Sequence, residues 1–122
     1  MATQKAIELQ GEKGNAKLVT DRRLPRHRPG YVLVDVKAIA LNPTDWKHVD
    51  YHNTKGAVSG CDYAGVVAET GEGYTKDWKV GDRIAGIVHG GNQLELEDGA
   101  FAERIAAKGS LFTFNRLPHS MI

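Results

Sequence analysis

A chain of 122 residues carrying 41% hydrophobic and 25% charged residues fits one domain with a modest core, not two. Its formal net charge of +1 gives no global attraction to nucleic acid or to an anionic membrane surface. A single cysteine, Cys61, excludes an intrachain disulfide framework, and no apolar run approaches a bilayer-spanning length. The opening residues lack the apolar stretch of a secretory signal, so a cytoplasmic protein is expected.

Fourteen glycines against 7% aromatics predict many tight turns and hence a mainly β domain. The first strand expected is over 17–20. The charge run that follows, 21–30, contains Arg22, Arg23, Arg26 and Arg28 with Pro25 and Pro29. A phosphate-binding patch is one reading, but no aromatics interleave it, and a solvated connector between strands is preferred. The clearest periodic signal is 31–41, where Val32, Val34, Val36 and Ala38 alternate with Leu33, Asp35, Lys37 and Ile39. That period of two predicts a strand with one face buried.

A short helix is predicted over 43–50, with Asn42 as cap, Pro43 at the first helical position and Asp45 in the first turn. Further strands are expected over 64–69, 83–88, 101–106 and 111–114, separated by Gly71 and Gly73, by Gly81 and by Gly90-Gly91. Short strands at such spacing with one brief helix point to a partly open barrel or a bent sandwich.

Several chemistries can be weighed on the residues alone. His48 and His52 stand at i and i+4, a spacing that can hold zinc on a helix, but the helix is expected to fray before His52 and no Cys-x-x-Cys accompanies the pair. Gly71, Gly73 and Lys76 begin like a dinucleotide loop, yet position 76 is not glycine and no amphipathic helix follows; a strand-to-strand loop is the better reading. Cys61 lies beside Asp62, whose charge raises a thiol pKa and so opposes nucleophilic use; a small buried filler before the next strand accounts for it. The stretch 40–47 places Asn42, Thr44, Asp45, Trp46 and Lys47 at a strand-to-helix junction, where a scaffold can present polar groups to a cleft. Capping alone also explains Asn42, Pro43 and Asp45, with Trp46 packed inward and Lys47 solvated.

Taken in order, Asn42-Pro43-Thr44-Asp45-Trp46-Lys47, then Gly60-Cys61-Asp62-Tyr63-Ala64-Gly65, then Val80-Gly81-Asp82-Arg83, then Gly99-Ala100-Phe101-Ala102-Glu103 resemble the N-terminal domain of medium-chain dehydrogenase/reductases. The zinc-free branch is the most similar, and His89-Gly90-Gly91-Asn92-Gln93-Leu94 is similar to fungal trans-acting enoyl reductases that serve polyketide synthases. Zinc-dependent members carry a Cys at the place of Asn42 and a His-Glu pair at the place of Cys61-Asp62, so the resemblance implies no metal.

The resemblance implies a GroES-like, partly open β-barrel over residues 1–115 with one or two short helices. Residues 116–122 correspond to the truncated start of a crossing segment, with the Rossmann domain absent. It implies NADPH-dependent reduction of polyketide-like enoyl thioesters, with Lys47 as catalytic residue and Asn42, Thr44, Asp45, Trp46 and Lys47 as cofactor contacts. It further implies that the isolated chain binds NADPH weakly and is inactive. The alternative is a non-catalytic or cofactor-free accessory module of a secondary-metabolite pathway. A polyketide synthase or other pathway enzyme is a candidate partner, a homodimer is another, and neither nucleic acid nor membrane is expected.

Overall fold

The computed structural model describes residues 2–71, 78–108 and 113–114. It is mainly β. Strands β1 (Thr3–Leu9) and β2 (Ala16–Arg23) form a two-stranded sheet. Strands β3 (Tyr31–Ala40), β4 (Asp62–Thr70), β5 (Arg83–Ile87), β6 (Arg104–Lys108) and β7 (Thr113–Phe114) form an antiparallel sheet in the order β6-β3-β4-β5-β7. Neither sheet closes on itself among the described residues. The helix α1 (Pro43–Tyr51) sits between β3 and β4.

Strand β1 escapes sequence reading. Its inward positions are Gln4, Ala6 and Leu9, so a polar and a small side chain blur the apolar alternation. Gln4 is 6% exposed and is satisfied by a two-point clasp on Arg104: its amide nitrogen donates to the Arg104 carbonyl at 3.0 Å and its amide oxygen accepts the Arg104 N–H at 2.6 Å. The strand predicted over 101–106 begins later, at Arg104, because Phe101 and Glu103 turn their backbones toward β1. Ile7 N–H donates to the Phe101 carbonyl at 2.8 Å, and Glu103 N–H donates to the Lys5 carbonyl at 3.2 Å.

The predicted alternation in β3 gives way to a buried first half and an exposed second half. Val32 and Val34 lie in the core, but Leu33 is buried too, whereas Ala38 and Ile39 are exposed. Strand β6 flanks only Tyr31 to Asp35, and the register against β4 shifts twice, between Leu33 and Val34 and between Val36 and Ala38. Each shift resets which face a side chain takes. The core gathers Val32, Val34, Tyr63, Val67, Trp78, Ile84, Phe101 and Ile105. The strand expected over 111–114 is described only at Thr113–Phe114; the loop over 72–77 and the tail over 115–122, with the crossing segment expected at 116–122, lie outside the described residues.

Residues 24–30 of the charge run connect β2 to β3, with Arg26 and His27 exposed, but the arginines are paired rather than merely solvated. Asp21 to Arg23 extend β2, and Arg22 pairs with Glu8 at 2.9 Å. Arg26 pairs with Glu95 at 2.6 Å and with Glu97 at 3.2 Å, while Arg28 pairs with Asp98 and lies 4.0 Å over the Tyr31 ring. The arginines meet an acidic stretch some 70 residues away in sequence, so local composition could not reveal the partner.

Three segments cross where side chains are excluded. A Cβ on Gly90 would fall inside the Gly60 backbone, one on Gly99 would strike the Val58 carbonyl, and one on Gly60 would enter the Phe101 ring. Gly90 has no positive φ, so Gly90→Ala tests the contact alone and is expected to cost about 3 kcal/mol. Gly81→Ala is the contrast: its φ of +94 is strained for alanine, but no atom lies within 4 Å, and a loss of about 1 kcal/mol is expected. Urea denaturation midpoints measure both.

Candidate functional site

A cleft of about 590 Å³ opens where the start of α1 faces the loop after β5. Thr44, His48, Cys61, Val88, His89 and Asn92 contribute to its wall. Its shape is set by the glycine crossing. Val88 N–H donates to the Cys61 carbonyl and Gly91 N–H to the Val58 carbonyl, both at 2.8 Å, which brings His89 beside α1. The Arg26 and Arg28 pairs hold the far end of the same loop, and Asn92 adds a side-chain hydrogen bond to Asp98 at 3.3 Å.

The helix start is built by its own sequence. Asn42 is the N-cap with extended backbone, and Pro43 occupies the first turn, where no N–H is missed. Asp45, 6% exposed, accepts the Asn42 N–H at 2.8 Å, half of a capping box. The Asn42 side-chain amide donates to the Asp62 carboxylate at 2.9 Å. Helix α1 ends at Tyr51 with His52 as C-cap, its N–H donating to the His48 carbonyl, so His52 stands at the helix end rather than within it. His48 instead faces His89, with ring centroids 6.4 Å apart and planes inclined by 44°.

The five residues of the predicted cofactor turn therefore separate. Thr44 lines the cleft, Asp45 lies buried beneath it, and Asn42 is engaged with Asp62. Trp46 and Lys47 stand on the exposed face of α1, with the Lys47 ammonium 5.8 Å from the centre of the Trp46 ring. Trp46 is 52% exposed rather than packed inward. His48, His89 and Asn92 complete the cleft wall but were not read from the sequence as site residues. The signal available for them was the glycine pair after His89, which permits a close backbone approach.

The donor set at Asn42, Cys61 and Asp62 does not suit zinc. An amide nitrogen occupies one Asp62 oxygen, and an uncharged amide is a poor replacement for a thiolate. Burial, reinforced by the charges of Asp45 and Asp62, pushes the Cys61 thiol above its ordinary value despite a backbone hydrogen bond from Gly90. That direction agrees with the sequence expectation, with burial rather than Asp62 as the main cause. Cys61 is half-buried and precedes β4 directly. Among the described residues no group of three or more His, Cys, Asp and Glu side chains could hold a metal ion. No helix among them is long and apolar enough to cross a membrane.

Burial lowers the His48 pKa below the usual 6.5, helped by positive charge on His89 and His52 and opposed by Asp45. The unfolded chain then binds a proton at this site more readily than the folded one. Linkage makes stability fall as pH drops through 6.5 and below, and leaves the His48 contribution flat above it. His48→Gln should flatten the decline of the urea midpoint between about pH 7 and pH 5. An identical slope in wild type and variant would remove His48 as a source of acid sensitivity.

Residues 28–117 match the family described as the alcohol dehydrogenase GroES-like domain. The chain is 56% identical over 98 residues to the trans-enoyl reductase resD of Aspergillus sclerotiorum, covering 80% of this chain and 28% of that protein. It is 47% identical over 111 residues to the trans-enoyl reductase TOXD of Cochliobolus carbonum, covering 91% of this chain and 37% of that protein. In fold it is similar to mycobacterial Rv1454c, solved in complex with NADPH, with a TM-score of 0.74, 23% identity, and coverage of 97% of this chain and 34% of that one. The chain thus spans roughly a third of the length of the proteins it matches. With its mainly β, open-sheet architecture and its single described helix, the chain belongs to the alcohol dehydrogenase GroES-like domain family.

Proposed function

We propose that the chain is the substrate-side half of a cytoplasmic, zinc-independent, NADPH-dependent enoyl reductase acting on polyketide-like enoyl thioesters. The observation that carries this reading is the Thr44-bearing cleft at the start of α1 in a chain so similar to trans-enoyl reductases. The zinc-independent part rests on the Asn42–Asp62 hydrogen bond, which commits both groups to each other.

When bound, NADPH supplies the hydride for the β-carbon of the enoyl thioester. The chain's own part is to hold donors and dipoles where negative charge grows on the thioester oxygen, an arrangement that favours the transition state over the ground state. Thr44 offers a hydroxyl inside the cleft. Asp45, buried and engaged with the Asn42 N–H, keeps the turn in place rather than meeting the ligand. Lys47 and Trp46 extend from the exposed face of α1 toward whatever packs there, with Lys47 as the cationic, catalytic contact and Trp46 as an apolar one. Asn42 is the polar neighbour of the nicotinamide. The Rossmann half contributes the pyrophosphate site, so the 122 residues alone make too few contacts to offset the ordering of a dinucleotide. In this reading a polyketide synthase delivers the acyl chain, and neither nucleic acid nor membrane takes part.

A second reading, a cofactor-free accessory or binding module, is favoured by one observation. Leu41 is 80% exposed, Trp46 52% and Tyr51 62%, with the Trp46 and Tyr51 ring centres 6.1 Å apart, exposed apolar groups suited to a protein partner or a second copy.

Isothermal titration of NADPH into the 122-residue chain should show weak binding or none, and no enoyl reduction should be detectable. In a two-domain enzyme carrying this half, Lys47→Ala should lower turnover at least tenfold, about 1.4 kcal/mol of barrier. Unchanged turnover would remove Lys47 from the site, and enoyl reduction by the short chain would overturn the division of labour.

A further inference from the structure

The polar group of the cleft with the most constrained chemistry is His48. Its Nδ1 is buried and has no hydrogen-bond partner among the described residues. The reason is Gly91, over which the ring lies: a Cβ there would stand 3.1 Å from His48 Cγ and 3.3 Å from Nδ1. Gly91 has a φ of +64, so both its backbone conformation and its missing side chain admit the imidazole. The ring also contributes to the cleft wall alongside Thr44, Cys61 and His89.

These facts fix where the proton of a neutral ring belongs. A neutral imidazole carries one N–H and one bare nitrogen. Placing the N–H at buried Nδ1 would strand a donor with nothing to receive it, whereas a bare acceptor at that position loses less. The proton therefore goes to Nε2, the nitrogen distal to the Gly91 contact. Burial and the neighbouring histidines keep the ring neutral near pH 7.

We infer that His48 is a ligand-binding residue of the cleft, a neutral imidazole fixed as the Nε2–H tautomer that donates a hydrogen bond to the carbonyl oxygen of an acyl ligand. A neutral imidazole suits this role, because it polarises a carbonyl and stabilises charge growing on its oxygen without surrendering its proton. Thr44 supplies a second donor, its hydroxyl, on the same wall, so a carbonyl oxygen with two lone pairs has two donors within one cleft. The inference rests on the enoyl reductase reading only in taking the ligand to be an acyl thioester; the tautomer follows from Gly91 and the ring alone.

Two measurements on the 122-residue chain test it. Long-range nitrogen–proton correlation spectra at about pH 7 should show His48 protonated at Nε2 and bare at Nδ1, and the opposite tautomer would overturn the inference. The second is titration with S-crotonyl-N-acetylcysteamine as probe. His48→Phe, which keeps the ring volume and removes the donor, should weaken binding at least about tenfold, while His48→Gln, whose amide nitrogen reaches the Nε2 position, should stay within about threefold of wild type. A thioether analogue lacking the carbonyl should bind wild type and His48→Phe alike. Urea midpoints confirm that both variants fold. Equal binding of the thioester by wild type and a folded His48→Phe would sink the role of His48 and leave the enoyl reductase reading standing. Failure of wild type to bind the thioester at all would overturn both.

Discussion

The contact on which the rest of this domain depends is a crossing of backbones without side chains. Gly60, Gly90 and Gly99 let three segments approach to a distance that any Cβ would forbid. Backbone hydrogen bonds then hold them: Ala100 N–H to the Gly60 carbonyl, Phe101 N–H to the Ser59 carbonyl and Gly91 N–H to the Val58 carbonyl, at 2.8 to 2.9 Å. Everything chemically interesting hangs from this crossing. It sets Cys61 at the start of β4, carries His89 to α1, and presses Phe101 into the core between the two sheets.

Much of the fold was legible because the elements near the crossing have strong local signals. The helix start was readable from Asn42, Pro43 and Asp45, each of which does there what its chemistry suggests. Strand β4 and strand β5 announced themselves by apolar runs between glycine-bearing turns. What the sequence could not show was any feature whose meaning lies in a distant partner. Strand β1 buries Gln4, which looks like a surface residue until Arg104 is seen to satisfy both ends of its amide. The arginine run looks like a solvated block until Glu95, Glu97 and Asp98 are placed against it. The second half of β3 reads as half-buried because the register shifts against β4 leave no trace in the residue pattern.

The site was legible to a similar degree and for the same reason. The turn over 42–47 marks one wall, and family resemblance pointed to it. The opposite wall comes from the loop after β5, about forty residues later, and its histidine is meaningful only once its partner on α1 is known. His48 invited comparison with His52 at helical spacing, yet the helix ends at Tyr51, and the ring that His48 meets across the cleft is His89. Periodicity finds neighbours along a helix; it cannot find neighbours across a cleft.

The Gln4 clasp has a consequence for how the domain comes into being. It joins residues one hundred positions apart, and β1 takes its other backbone partners from 56–59 and from 101–103. Native pairings of such sequence separation are slow to form, because the loop between them must be closed before they contribute any stability. On a ribosome the first strand emerges earliest and must wait for nearly the whole domain before it can dock. Until then only its hairpin partner β2 is at hand, and an isolated two-stranded hairpin is marginal in water. The mixed inward face of β1 becomes intelligible in that light: a strand that presents glutamine and alanine with one large apolar side chain, Leu9, rather than a row of them is poorer bait for aggregation during the wait.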